Sequence, residues 1–139
     1  MKRITCVLLL TALALGIALA PSIGLSEDDS TTLLARALYT LGHGESYETL
    51  LALGSVIMNR VDSPWFPDTV EEVINQPHQF AYGSRYDERT LKAAREVIEG
   101  KRTVKSYVVY YSALDATAKR DIASAVAVIG NYGFYQDKA

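Results

Sequence analysis

Apolar residues recur at helical spacing twice in quick succession near the start of the polar part of the chain. Leu33, Leu34, Ala37, Leu38 and Leu41 fall on one side of a first helix, which Asp29 or Ser30 can cap and Gly42 ends by taking a left-handed conformation. Ser46 opens a second helix running to about Val61, with Leu50, Leu53, Gly54, Ile57 and Val61 as its inner stripe. Gly54 lowers helix propensity by about 1 kcal/mol against alanine, a cost best explained by a close helix crossing. Asp62 to Pro67 holds two prolines and reads as a loop. Asp68 with Glu71, or Thr69 with Glu72, caps a short helix ending near Asn75. A polar and aromatic loop, Gln76 to Tyr86, leads to a fourth helix from Asp87 to Gly100, with Leu91, Ala94, Val97 and Ile98 facing the core.

The pattern then changes period. Tyr107 to Ser112 is β-branched and aromatic and predicts a strand. Ala123 to Ile129 and Tyr132 to Tyr135 predict a hairpin around Gly130-Asn131. Asp115 to Ile122 is compatible with helix or loop. Helices first and a small antiparallel sheet last is an α+β arrangement, a single domain of about four helices followed by a sheet.

Residues 1–26 stand apart from this pattern. Lys2 and Arg3 precede an uncharged apolar run from Ile4 to Ala20, followed by small residues up to Ser26 and the acidic run Glu27-Asp28-Asp29. This is the layout of a secretory signal peptide, with cleavage expected after Ser26 rather than Ala20, since Pro21 follows the latter. The apolar run is a little short for a span of about 20 residues, and an uncleaved anchor is the alternative. Residues 27–139 then form the folded domain, with no membrane contact once the signal is cut. Losing Lys2 and Arg3, and no acid, moves the formal net charge from −2 to −4. An acidic balance argues against a nucleic-acid partner. The only cysteine, Cys6, lies in the leader, so the exported domain relies on its packed core.

The interhelical turn Leu41-Gly42-His43-Gly44-Glu45-Ser46 carries the most informative chemistry. A carboxylic acid at the mouth of such a turn can protonate a leaving-group oxygen, as glycosidic cleavage requires. Glu45 equally suits the first turn of the second helix, where free amides and the dipole favour an acid. His43 can shuttle a proton or meet a sugar hydroxyl. His43, Glu45 and His78 match no metal-ligand spacing, so neither a metal nor another cofactor is expected. Flat aromatic faces bind the apolar faces of sugars, and the loop residues Phe80 and Tyr82 are suited to that role. No thiol outside the leader, no Gly-x-Ser-x-Gly and no phosphate loop is present, which leaves carboxylate chemistry.

Several stretches resemble the SleB-type (spore-cortex-lytic) cell wall hydrolase family: Ala35 to Tyr39 leading into Gly44-Glu45-Ser46-Tyr47-Glu48; Ala52 to Val61, with Met58-Asn59-Arg60; Phe66 to Ile74; Gln76-Pro77-His78-Gln79-Phe80; Tyr110-Tyr111; and Ile129 to Tyr135. The resemblance implies a lysozyme-like domain that cleaves peptidoglycan glycan strands as a lytic transglycosylase. One glutamic acid protonates the glycosidic oxygen and the sugar's own 6-hydroxyl attacks, so no second carboxylate is needed. It implies Tyr39, His43, Phe80, Tyr82 and Tyr111 as substrate contacts and a secreted or envelope location in a bacterium, and, with the family's usual catalytic glutamate position held by Leu41, it leaves Glu45 as the best remaining acid. The family pattern, approximately Tyr-x-Glu-Ala-Arg-Gly-Glu-x-Tyr-Glu, places its first glutamate on Leu41, its arginine on His43 and its second glutamate on Glu45; a family histidine falls on Tyr132. Leucine cannot donate a proton. Either Glu45 serves from one turn further on, or the domain grips glycan without cutting it.

Overall fold

The computed structural model of the chain describes residues 27–114 and 124–137. Four helices come first: α1 (Glu27–Gly42), α2 (Tyr47–Asp62), α3 (Val70–Ile74) and α4 (Glu88–Ile98). Three strands follow, β1 (Val108–Ala113), β2 (Ala127–Ile129) and β3 (Tyr132–Gln136). They form one antiparallel sheet in the order β1-β3-β2. The expected signal peptide and the ambiguous stretch Asp115 to Ile122 lie outside the described residues.

Local capping chemistry sets most of the boundaries. Ser46 Oγ accepts the Thr49 amide at 3.1 Å and starts α2. Of the two candidate boxes before α3, Thr69 with Glu72 is the one formed: Thr69 Oγ1 accepts the Glu72 amide at 3.2 Å and bonds Glu72 Oε2 at 3.0 Å. α1 begins at Glu27, earlier than expected, so Asp29 and Ser30 lie inside the helix rather than at its N-cap. α1 also ends differently. Gly42 is its last helical residue, and the left-handed position is Gly44, at φ 87°.

α2 is the central element. The expected inner stripe understates it, because every residue from Thr49 to Arg60 is buried, whereas Val61 is only half-buried. α1, α3 and α4 pack around it and β1 covers what remains. A helix that is apolar on nearly every side belongs inside a protein. Gly54 marks the crossing with α4: a Cβ there would lie 3.0 Å from Val97 Cγ2, and Val97 is fully buried. The expected hairpin forms, with Gly130 at φ 57° in the turn, although β2 is shorter than the predicted Ala123 to Ile129. β3 is the middle strand; Phe134 is fully buried and pairs with Tyr111 on one side and Ala127 on the other.

Asp87 closes a full capping box on α4. Its Oδ1 accepts the Thr90 amide at 2.7 Å, and Thr90 Oγ1 accepts the Asp87 amide at 3.0 Å. The Thr90 amide is the main reason the Asp87 carboxyl sits below its ordinary range, and it outweighs the opposing effect of burial. With the folded pKa below the unfolded one, the cap's electrostatic contribution is complete above the unfolded value of about 3.9 and fades as pH falls through the folded value. Asp87→Ala is therefore expected to cost about 1 kcal/mol at neutral pH. In thermal melts the gap to wild type should narrow below about pH 4. A gap that stays constant down to strongly acidic pH would contradict this account.

Candidate functional site

The turn between α1 and α2 is tied to the far end of the chain. The Glu45 amide donates to Gly42 O at 3.0 Å, and Ser46 takes the capping role one residue later. That leaves the Glu45 carboxylate free of the helix amides, contrary to the reading of Glu45 as a helix-start residue. It reaches the β2–β3 turn instead. Oε1 accepts from Asn131 Nδ2 at 2.7 Å and Oε2 from the Asn131 amide at 3.4 Å. Gly130 makes this approach possible: a Cβ there would lie 2.5 Å from Thr49 Oγ1 and 2.6 Å from Glu45 Oε2. From α4, Arg89 Nη2 donates to Glu45 O at 2.7 Å. Glu45 is half-buried and held by two elements distant in sequence, the β2–β3 turn and α4.

A row of rings starts beside it. Tyr132 follows Asn131 on β3, and its hydroxyl donates to the Leu41 carbonyl at the end of α1. Burial, and after it the Glu45 charge, pushes the Tyr132 phenol above its ordinary range. Tyr111 on β1 lies 5.9 Å from Tyr132 between ring centroids, and Phe80 stacks on Tyr111 at 5.6 Å with 20° between planes. Tyr111 donates its hydroxyl to Gln79 O at 2.9 Å, and burial raises its pKa too. Offset aromatic contacts of this kind fix ring positions beyond what area burial alone supplies.

Behind the row sits a buried cation. Arg60 is 2% exposed, and no carboxylate among the described residues is paired with it. Its Nε donates to Val109 O at 2.7 Å, and Nη1 donates to the side-chain oxygens of Gln76 and Gln79 at 3.2 and 3.0 Å. The guanidinium carbon is 4.9 Å from the ring centroids of both Phe66 and Phe80 and 5.1 Å from that of Tyr110. Burial lowers the Arg60 pKa from its usual value. Cation–π attraction and neutral acceptors replace an ion pair here. Arg60 thus joins α2, the loop after α3 and β1, and positions Phe80.

The sequence-based candidates divide into three groups. Glu45, Phe80 and Tyr111 belong to one assembly, linked through Tyr132. Tyr39 and His43 stack on each other, with centroids 4.6 Å apart, and His43 is exposed. Tyr82 lies under Arg36 at 5.3 Å and donates its hydroxyl to Asn75 Oδ1 at 2.9 Å, so it braces its loop against α1 and α3. Leu41 packs its half-buried side chain against the core and presents only its carbonyl to Tyr132. No group of three metal-ligating side chains occurs among the described residues. Sequence reasoning gave no site role to Asn131 or Arg60, and Tyr132 figured only as one of many aromatics and as the position of a family histidine. Asn131 reads as a turn residue and Arg60 as part of a motif; the only available signal for Arg60 was a charge inside an otherwise apolar helix.

Comparison with known proteins bears on this geometry. The sequence profile of the Cell Wall Hydrolase family matches residues 44–135. The spore cortex-lytic enzyme of Bacillus subtilis strain 168 is 36% identical over 101 residues, 68% of this chain and 33% of that protein. The enzyme of the same name from Halalkalibacterium halodurans is 34% identical over 98 residues, 66% of this chain and 30% of its own length. The chain thus spans about a third of the length of these curated relatives. Among solved structures, the catalytic domain of the germination-specific lytic transglycosylase SleB from Bacillus anthracis superposes with a TM-score of 0.69 at 29% identity, covering 82% of this chain and 98% of that one. The catalytic domain of the Bacillus cereus SleB protein gives the same TM-score at 30% identity, covering 82% of this chain and 94% of that one. The four helices and three-stranded antiparallel sheet are those of this lysozyme-like architecture. With the profile running from the Gly44-Glu45 turn through the Asn131-Tyr132 hairpin that holds it, the chain belongs to the cell wall hydrolase family.

Proposed function

We propose that the domain is an exported hydrolase of peptidoglycan glycan strands, of the lytic transglycosylase or muramidase type, with Glu45 as its general acid. The observation that supports it most is the placing of the Glu45 carboxylate beside Tyr132, at one end of the row that continues through Tyr111 to Phe80. Rings can hold the apolar faces of successive sugars while the acid meets a glycosidic oxygen. The proton passes from Glu45 to the leaving oxygen as the bond from the anomeric carbon breaks. The sugar's own 6-hydroxyl closes onto that carbon and returns its proton to the carboxylate, leaving an anhydro end. Tyr39 and His43 extend the same turn toward ligand, and Tyr82 steadies the loop that carries Phe80. A leader over residues 1–26 would deliver the domain to the envelope, where the substrate is.

A second reading has its own support. Leu41 places a hydrocarbon where the family pattern has an acid, and Asn131 occupies both oxygens of Glu45. A non-catalytic peptidoglycan-binding module on this scaffold fits those two facts. Incubating the purified protein with insoluble peptidoglycan separates the readings. Release of soluble anhydro or reducing ends supports hydrolysis. Co-sedimentation without release supports binding alone, and Leu41→Glu is then expected to create activity. N-terminal sequencing of the exported protein tests the leader: an intact Met1 contradicts cleavage.

A further inference from the structure

A cleft of about 700 Å³ has none of Glu45, Tyr111 and Tyr132 in its lining. Its walls are the α2–α3 loop and the chain leading into β1, and Trp65, Phe66 and Tyr107 supply its rings. Trp65 is 86% exposed and Tyr107 52%. A scattered exposed apolar residue needs no explanation, but rings converging on one concavity do. Trp65 is also held in place. It lies between Pro64 and Pro67, and its amide donates to Ser63 Oγ at 3.3 Å. A stiff loop presenting a tryptophan to solvent loses little conformational entropy on binding.

The charged and amide groups of the cleft offer acceptors, and the hydroxyls of Ser63, Ser106 and Tyr107 can give or take a hydrogen bond. Asn59 lines the cleft, 3% exposed, with Nδ2 donating to Lys105 O at 2.8 Å and Val108 O at 2.9 Å, so its side-chain oxygen is the group left for a ligand. Asp62 and Asp137 supply two carboxylates. Arg102 pairs with Asp62 at 2.9 Å, which offsets its charge and leaves it less suited to a cationic ligand than to hydroxyl donors. Two carboxylates exclude an anion. Apolar faces edged by acceptors and hydroxyls suit a pyranose, whose C–H face lies on a ring while its hydroxyls donate and accept. We propose that this cleft is a second saccharide-binding site, taking an uncharged sugar ring and distinct from the Glu45 site. It rests on the reading that the domain engages glycan. The two places share a wall, since Phe66 lines the cleft and packs on Arg60, which also carries Phe80.

Trp65 is the only tryptophan in the chain, so intrinsic tryptophan fluorescence reports on this cleft alone. Titrating the purified protein with a tetramer of N-acetylglucosamine is expected to give a saturable change in that fluorescence. Tyr107→Ala should weaken the apparent affinity at least tenfold, whereas Glu45→Gln should leave the titration unchanged. A flat titration, or one that responds to Glu45→Gln and ignores Tyr107→Ala, overturns the proposal. Trp65→Ala, at an exposed position that carries no part of the core, is expected to reduce co-sedimentation with insoluble wall at least tenfold. If it sediments as wild type does, the second site is lost while the Glu45 reading stands. Wild-type protein that does not sediment at all, and releases no ends, removes that underlying reading instead.

Discussion

Replacing Glu45 by glutamine is expected to lower the release of glycan ends by about 10²- to 10⁴-fold, the usual contribution of a positioned acid. Stability and wall binding should scarcely change. Glutamine keeps the volume of glutamate, and its oxygen still accepts from Asn131 Nδ2, the shorter of the two bonds. Its amide end meets the Asn131 N–H, a contact already 3.4 Å long, so little is lost there. Asn131→Ala is the informative companion. It frees Oε1 without removing the acid, since the backbone N–H that faces Oε2 remains. If Asn131 restrains Glu45, end release should rise or hold; if it aims Glu45 at the glycosidic oxygen, release should fall as well. The readout is anhydro and reducing ends per unit time, beside a melting curve for each variant. Clearing by Glu45→Gln equal to wild type would remove Glu45 from the mechanism, and gripping without cutting would be what remains.

How much of this was legible in the sequence follows the range of the forces involved. Ser46, Thr69 and Asp87 act within three residues of themselves, so the starts of α2, α3 and α4 could be read directly. Gly130-Asn131 fixed its hairpin for the same reason, because the turn geometry is local. The start of α1 was misplaced because Asp29 and Ser30 are good capping residues that the helix passes over. The close crossing at Gly54 was legible as a cost in propensity that needed a reason, and Val97 supplies it. The site was only half legible. Glu45 stood out by its glycine-flanked turn, but its partner Asn131 lies 86 residues away, and no spacing rule carries that far. Tyr132 was visible as an aromatic, and its bond to the Leu41 carbonyl depends on how the sheet docks against the helices. Tyr82 looked like a free loop aromatic. The pairing with Asn75 and Arg36 that occupies it is a tertiary contact.

Arg60→Ala is expected to cost about 3–5 kcal/mol, among the largest effects of any single change in the described residues. Three losses combine. A cavity is left among the rings of Phe66, Phe80 and Tyr110. The Val109 carbonyl and the side-chain oxygens of Gln76 and Gln79 lose their donor. The long aliphatic stem also stops covering core surface. Arg60→Lys separates charge from shape. An ammonium keeps the cation but cannot donate to Val109 on one side and two glutamines on the other in a fixed plane, so a loss on the order of 2 kcal/mol is expected. Urea unfolding measures both: the midpoint should fall with the slope unchanged, which marks a change in stability rather than in the denatured state. Because Arg60 carries Phe80, near-ultraviolet circular dichroism of the folded lysine variant should also show the Phe80–Tyr111 stack loosened. A cost under about 1 kcal/mol for Arg60→Ala would mean that the rings close over the gap unaided. The buried charge would then be a passenger in α2, and the row of rings would owe its order to the sheet alone.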